Sequence, residues 1–270
     1  MSIPPLPESD FEVDIGPEEI AFYRENGYLA VERIMDDAEL AWLRETYDIL
    51  LGAKPTGLLN GIFDLANRYG TTDTPKLGQL LRPEAQAPQI LETRMWKNAR
   101  QISAKLLDVP LDDVSSWGHL IFKGRLSPEV TPWHQDEAYW DMTKTYNALG
   151  SWLAVDKVDT DNGCLWFVPG SHESEVLPHK HKNDDPYIHV LQFRDAPDVS
   201  KGVPVPLEAG GMTFHHARTW HYAGPNRTDR LRRAWANEFQ TVPVQRTDTV
   251  ERPWLTEGYK ALEDSYARAR

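Results

Sequence analysis

Nine short apolar runs, separated by turn-forming residues, constrain the fold of this chain more than any other feature of its sequence. Each run has five to nine residues, which is the usual length of a β-strand. Gly, Pro, Asp and Asn fill the gaps, and Asn162-Gly163 is typical of a hairpin turn. Many short strands with such turns indicate a sandwich or a barrel. The predicted strands are 117–123, 131–139, 148–155, 164–168, 187–193, 203–207, 211–215, 219–223 and 232–240.

Helical patterns precede this β region. Pro17 stands in the first turn of one predicted helix, and Gly27 ends it. Two more helices are predicted at about 37–51 and 88–107, whereas 52–86 shows no regular period. The sequence therefore predicts an extended arm (1–16) and a single large domain (17–270), the latter with a helical part (17–110), a β core (111–245) and a C-terminal helix (256–269).

Charge and cysteine content restrict the partners. The formal net charge of −12 disfavours nucleic-acid binding, because that requires a basic face. The single cysteine, Cys164, excludes an internal disulfide and fits a reducing cytoplasm. The acidic, proline-rich N-terminus does not resemble a secretory signal, and no apolar run is long enough to span a membrane. We expect a cytoplasmic monomer or homodimer that acts on a small molecule, with no nucleic-acid or membrane partner.

The segment 133–136 (WHQD) carries the first candidate metal ligands. On a strand, side chains two positions apart point to one face, so His134 and Asp136 would converge while Gln135 points away. Two histidines and one carboxylate on one face leave other positions open for substrate and O2, as in non-haem iron(II) oxygenases. The pair therefore predicts a metal site that needs one more histidine.

Candidates for that histidine lie in 214–221 (FHHARTWH). His221 ends a run of strand-forming residues just before a Gly-Pro-Asn turn, and sites on β scaffolds commonly lie at strand ends. His215 and His216 are also candidates, although surface exposure or ordinary hydrogen bonding explains them without a metal. His172 lies in a Pro-Gly-Ser-His turn, where local backbone bonds explain it without a metal.

A basic run supplies a candidate anion site. Arg232 lies eleven positions beyond His221, across a turn that would return the chain as a neighbouring strand. A guanidinium binds a carboxylate through two parallel hydrogen bonds, as the far end of a dicarboxylic oxoacid on iron would require. Alternation places Arg230 on the same face and Arg233 on the other, and both remain candidates for the same role.

Together these residues resemble the phytanoyl-CoA dioxygenase family, which also contains ectoine hydroxylases. The resemblance extends over about residues 17–240 and implies a mainly β fold with flanking helices. Its core would be a double-stranded β-helix, the jelly-roll or cupin-like arrangement. The matching segments are 22–28 (FYRENGY), 133–136 (WHQD), 162–172 (NGCLWFVPGSH) and 221–226 (HYAGPN), followed by Arg232.

The resemblance also implies roles for individual residues. The iron ligands would be His134, Asp136 and His221. Arg232 would hold the distal carboxylate of 2-oxoglutarate, and Trp140 and Trp152 look like aromatic positions that line the cofactor site. One position departs from the family pattern, because many members have a serine where this chain has Ala223. The distal carboxylate would then be bound by Arg232 together with a tyrosine or threonine hydroxyl.

The implied activity is that of a dioxygenase dependent on Fe(II), 2-oxoglutarate and O2. It would hydroxylate a small-molecule metabolite and release succinate and CO2. The same ligands can serve desaturation, epimerisation or cyclisation. An inactive cupin-like binding protein or a zinc hydrolase would also be compatible with two histidines and one carboxylate. The intact ligand set disfavours the inactive protein, and Arg232 disfavours the hydrolase, because a hydrolase needs no clamp for an oxoacid.

Overall fold

The computed structural model describes residues 2–52, 62–68 and 75–268. Its helices are α1 (Pro17–Asn26), α2 (Asp37–Gly52), α3 (Arg94–Leu107) and α4 (Pro253–Arg268). Its strands are, in chain order, β1 (Tyr28–Val31), β2 (Ile62–Asp64), β3 (Leu77–Leu81), β4 (Ser115–Lys123), β5 (Thr131–His134), β6 (Lys144–Thr145), β7 (Ala148–Ala154), β8 (Leu165–Phe167), β9 (His179–His181), β10 (Leu191–Phe193), β11 (Val203–Val205), β12 (Met212–His216), β13 (His221–Ala223), β14 (Arg232–Gln240) and β15 (Val244–Gln245).

Two antiparallel sheets form the core, as predicted for a jelly roll. The larger sheet has the strand order β1-β12-β7-β14-β4-β3-β2, and the smaller has the order β11-β8-β13-β5. Apart from the consecutive strands β2, β3 and β4, neighbours within these sheets are not consecutive in sequence, which is the pattern of a double-stranded β-helix. Side chains from both sheets line one cavity between them, among them Trp152 and Arg232 from the larger sheet and His134 and His221 from the smaller.

The larger sheet has one apolar face and one mixed face. On β14, Trp235 and Phe239 are fully buried in a cluster with Tyr47 of α2 and Met95 of α3. The alternate residues of β14, beginning with Arg232, line the cavity on the other side. The helices therefore complete the hydrophobic core on one face and leave the opposite face to the site.

Several predicted elements are shorter in the structure, among them the strand predicted at 187–193, which spans only Leu191–Phe193, and two others are bounded by 3₁₀ turns. The strand predicted at 131–139 ends at His134, and a 3₁₀ turn follows it. The helix predicted from residue 88 begins as a 3₁₀ turn at Pro88–Glu92, and α3 starts only at Arg94. The reason is a local cap, since the side chain of Thr93 accepts a hydrogen bond from a backbone N–H of the first turn.

Two further differences concern connections. The sequence predicts 52–86 as irregular, yet β2 and β3 within it extend the larger sheet; residues 53–61 and 69–74 lie outside the described ranges. Asn162-Gly163 forms a turn with Gly163 at φ 90°, but not the hairpin that this pair usually indicates. It joins β7 to β8, which lie in different sheets.

The predicted C-terminal helix is present as α4 and packs near the end of β5. Trp254 donates a hydrogen bond from Nε1 to the carbonyl of Ala138 at 2.8 Å. The side chain of Arg252, just before the helix, forms a buried ion pair with Glu137, with Nη2 2.9 Å from Oε1. Residues at the start of the C-terminal helix therefore fix the 3₁₀ turn that follows β5. No helix in the described ranges is both long enough and apolar enough to cross a bilayer.

Candidate active site

Three candidate metal ligands meet between the two sheets. His134 ends β5, His221 begins β13, and the two lie directly opposite each other in the strand pair. With Asp136 they form a group whose ligand atoms all lie within 4.8 Å of one another. Asp136 Oδ1 is 3.5 Å from His134 Nε2 and 3.3 Å from His221 Nε2. Two imidazoles and one carboxylate on one side of a small space form the set expected around a non-haem iron.

The backbone and side chain of Gln135 place Asp136 beside His134, although β5 ends at His134. The backbone at Gln135 remains extended, with φ −121° and ψ 135°, so the alternation of β5 continues for one more residue. Its side chain points away and is fully buried, where Nε2 donates to Arg218 O at 2.9 Å and Oε1 accepts from Leu177 N at 2.8 Å. These bonds fix the segment and direct His134 and Asp136 to the same side.

Both histidines present the same ring nitrogen to the centre. His134 Nδ1 is 2.7 Å from the carbonyl of Pro132, and His221 Nδ1 is 2.9 Å from the carbonyl of Thr219. A carbonyl can only accept, so each Nδ1 must carry the proton in these bonds. Each Nε2 is then left with a lone pair directed at the centre, which is the form that ligates a metal.

Charge and burial at the site favour an ionised Asp136 and a neutral His134. Burial acts to raise the pKa of Asp136, but His221, His134 and His215 outweigh it and hold that pKa well below its usual range. Burial lowers the pKa of His134, with a further contribution from His221. These are the protonation states in which the side chains can bind a cation.

His215 contacts the carboxylate, a role that the sequence pattern does not assign. Its Nε2 lies 3.0 Å from Asp136 Oδ2, which leaves Oδ1 facing the two ligand histidines. Gly150 makes the contact possible, because a Cβ there would lie 2.6 Å from His215 Nε2 and 3.0 Å from Asp136 Oδ2. His216 lies on the other side of β12, with its ring 5.6 Å from that of His172. Alternation along the predicted strand could have separated the two neighbouring histidines.

Arg232 is a buried cation, and no described carboxylate forms an ion pair with it. Its side chain faces the same cavity, and its Nε and Nη1 have no hydrogen-bond partner among the described residues. Burial lowers its pKa to about 10, so it remains charged at neutral pH. The guanidinium carbon lies 5.2 Å from the ring centre of Trp152, a cation–π distance. Burial of a charge with unpartnered nitrogens is costly, and an anion bound here would offset that cost.

The other two arginines of the run have different surroundings. Arg233 points to the opposite side of β14 and pairs with Asp156 and Asp48, each at 2.8 Å. Arg230 is exposed and precedes the strand, so the predicted alternation does not extend back to it. Only Arg232 of the three lines the cavity.

Two cavities adjoin the three candidate metal ligands. The one that contains Arg232 and Trp152 has a volume of about 100 Å³. Its neighbour has about 320 Å³ and is lined by aromatic side chains that include Trp117, Tyr139 and Trp140. His134 and Asp136 border both. The structure thus places Trp152 beside the candidate anion site and Trp140 in the larger cavity.

Comparisons with known proteins agree with this arrangement. The family model described as phytanoyl-CoA dioxygenase (PhyH) matches residues 23–234. The bovine protein named "Phytanoyl-CoA dioxygenase, peroxisomal" is 24% identical over 239 residues, which are 82% of this chain and 67% of that protein. EvdO2 from Micromonospora carbonacea var. aurantiaca, solved in complex with 2-oxoglutarate, is 33% identical with a TM-score of 0.80, covering 92% of this chain and 99% of its own. The epimerase SnoN, solved with Fe³⁺, alpha ketoglutarate and nogalamycin RO, shares the fold at 23% identity and a TM-score of 0.63 over 86% of each chain.

Proposed function

This chain belongs to the phytanoyl-CoA dioxygenase family, and we propose from that premise that it hydroxylates a small-molecule metabolite with release of succinate and CO2. It is an enzyme of the iron- and 2-oxoglutarate-dependent oxygenase class. The observation that carries the proposal is Arg232, unpaired among the described residues, beside a group of two histidines and one carboxylate. An anion bound beside Arg232 would offset the cost of burying this charge.

The proposed iron ligands are His134, Asp136 and His221. His134 and His221 would use Nε2, because Nδ1 of each donates to a backbone carbonyl. Asp136 would use Oδ1, because Oδ2 lies against His215. When bound, iron(II) supplies the activation of O2, for which no side chain has the chemistry.

The proposed role of Arg232 is to bind the distal carboxylate of 2-oxoglutarate. Arg232 is the first residue of β14 and pairs with Lys123 of β4, while β7 pairs with the same strand from Ala234 onward. Trp152 would cover the face of the guanidinium and exclude water from it. Lys123, directly opposite Arg232 on β4, is also buried, but its Nζ donates to the carbonyls of Ala223 and Gly224. Lys123 thereby fixes the end of β13 and leaves the anion to Arg232.

Thr131 is the residue proposed to replace the missing serine hydroxyl. Ala223, where many family members have serine, lies directly opposite Thr131 in the pair of β13 with β5. Both line the cavity that contains Arg232. A hydroxyl group on β5 can reach the same carboxylate as one on β13. The Thr131 hydroxyl would therefore supply the hydrogen bond to 2-oxoglutarate that Ala223 cannot make.

Replacing Thr131 with valine is expected to weaken 2-oxoglutarate binding roughly tenfold, because one hydrogen bond to a charged group is lost at constant volume. Anaerobic titration of the Fe(II) enzyme with 2-oxoglutarate, followed by its visible absorption band, gives the affinity. Thr131→Ser is the matched control and should bind nearly as well as the parent chain. Equal affinities for the valine and serine variants would exclude Thr131 from the carboxylate site.

Turnover under ¹⁸O2 in chloride buffer tests the proposed reaction. Candidate metabolites are first screened by succinate release, and the product of the active one is examined by mass spectrometry. An alcohol that carries ¹⁸O is expected, because Asp136 occupies the ligand position that a halide would need. An unlabelled product two hydrogens lighter would instead indicate desaturation or ring closure. A halogenated product would contradict the role given to Asp136.

A further inference from the structure

Glu238 is a carboxyl group at the metal end of the larger cavity that the proposed mechanism does not use. It lies on β14 and faces the same side of the sheet as Arg232. Its neighbours across the sheet are Gly150 on β7 and Trp117 on β4. Because Gly150 has no side chain, His215 and Asp136 occupy the space over this neighbour of Glu238.

The position of Glu238 between the two cavities suggests contact with substrate. Glu238 and His119 line both cavities, as His134 and Asp136 do. A molecule in the larger cavity that reaches His134 and Asp136 would therefore lie beside these two polar side chains. Two hydrogen-bonding groups beside the reacting position would determine how such a molecule is oriented.

No cation balances Glu238 on the described walls of the larger cavity, which include neither lysine nor arginine. Burial and the charge of Asp136 raise the pKa of Glu238 well above its usual range, while the indoles of Trp140 and Trp117 oppose this by hydrogen bonding. A carboxyl group in these surroundings tends to keep its proton, so it can both donate and accept. A hydroxyl group is the partner that offers the same two functions.

His119 is a second polar group on these walls. Its Nδ1 is buried and has no hydrogen-bond partner among the described residues. Burial lowers the pKa of His119 to about 4, so the ring is neutral at physiological pH. It lies on β4 two residues beyond Trp117, on the same face and therefore beside Glu238. A neutral imidazole is also suited to a hydroxyl group rather than to an anion.

We propose that Glu238 and His119 bind hydroxyl groups of an uncharged, hydroxyl-bearing substrate whose carbon skeleton packs against Trp117 and Trp140. This inference rests on the proposed function and narrows its substrate class. An aliphatic acyl chain in the same place would leave Nδ1 of His119 buried without a partner, and it would offer the Glu238 carboxyl group no hydrogen bond beyond those of the two indoles. Sites of this kind reject analogues that lack the matching hydroxyl. The pair would thus select against a simple fatty acyl substrate.

The test compares three sets of probes on the Fe(II)–2-oxoglutarate enzyme: methyl glycosides and inositols, primary amines such as spermidine, and acyl compounds such as octanoyl-CoA. Binding is read under anaerobic conditions from the perturbation of the visible absorption band, and turnover from succinate release. We expect a hydroxylated probe to give the strongest response. A stronger response to an amine or an acyl compound, or no response to any hydroxylated probe, would overturn the proposal.

Variants of Glu238 identify the residue responsible. Glu238→Leu should weaken binding of the responding probe by about tenfold or more, whereas Glu238→Gln, which still donates and accepts, should retain part of it. Affinity for 2-oxoglutarate should stay within about twofold in both, and in the exposed control Glu173→Gln. Unchanged probe binding in Glu238→Leu would contradict the assignment. Failure of the parent chain to form the 2-oxoglutarate complex would instead contradict the proposed function.

Discussion

Replacing Asp136 with asparagine is expected to reduce the affinity for Fe(II) by roughly a hundredfold or more. Changes in residues that only support a metal ligand typically cost about 10–100-fold, and Asp136 is itself the proposed charged ligand. Asparagine keeps the shape of the side chain but removes the negative charge, which His134 and His221 cannot replace. The neighbouring His215 would then face an amide instead of a carboxylate.

Anaerobic equilibrium dialysis with Fe(II) measures this loss directly, independently of catalysis. Asp198→Asn is the matched control, because Asp198 is exposed and bonds only within its own loop. Circular dichroism should show that both variants keep the fold. If Asp136→Asn binds Fe(II) as tightly as Asp198→Asn, the carboxylate is not a ligand and the metal site must be reassigned.

Replacing Arg232 with lysine is the second large effect we expect. Lysine keeps the positive charge but cannot form two parallel hydrogen bonds to one carboxylate. Its ammonium group would also lose the planar contact that the guanidinium makes with Trp152. Losing one hydrogen bond to a charged group costs about 1.5–3 kcal/mol. Affinity for 2-oxoglutarate should therefore fall by at least about tenfold.

The neighbouring arginines provide the controls. Arg230 is exposed, so Arg230→Lys should leave the affinity for 2-oxoglutarate unchanged. Arg233→Lys should affect thermal stability through Asp156 and Asp48 more than it affects 2-oxoglutarate. Fe(II) affinity without 2-oxoglutarate should be the same in all three variants. Equal, small effects at the three positions would mean that another group binds the distal carboxylate.

The sequence predicted the fold class and most strands because both depend on local patterns. Alternation and turn residues are readable one segment at a time, as in β7 and β14, which lie close to their predicted bounds. What could not be read was pairing between distant segments. The Asn162-Gly163 turn has the composition of a hairpin, but the partners of β8 come from β11 and β13. That choice depends on the packing of two whole sheets.

The candidate site was predictable in so far as its residues carry their own chemistry. A His-x-Asp pair, a histidine at a strand end and an arginine after a turn each point to a function by residue type and spacing. His215 and Glu238 do not, because their surroundings are created by cross-strand neighbours such as Gly150. The pKa shift of Glu238 arises from burial and from charges brought together only by the fold.

The buried ion pair between Arg252 and Glu137 links the end of the chain to the segment beside Asp136. A ligand that binds only the folded form of the segment containing Asp136 and Glu137 stabilises that form, and with it the contacts that the same segment makes. We therefore expect metal binding at Asp136 and the docking of α4 to be coupled, so that each increases the stability of the other. Cleavage or fusion near Arg252 would consequently act on the metal site from a distance, although no residue of α4 is a proposed ligand.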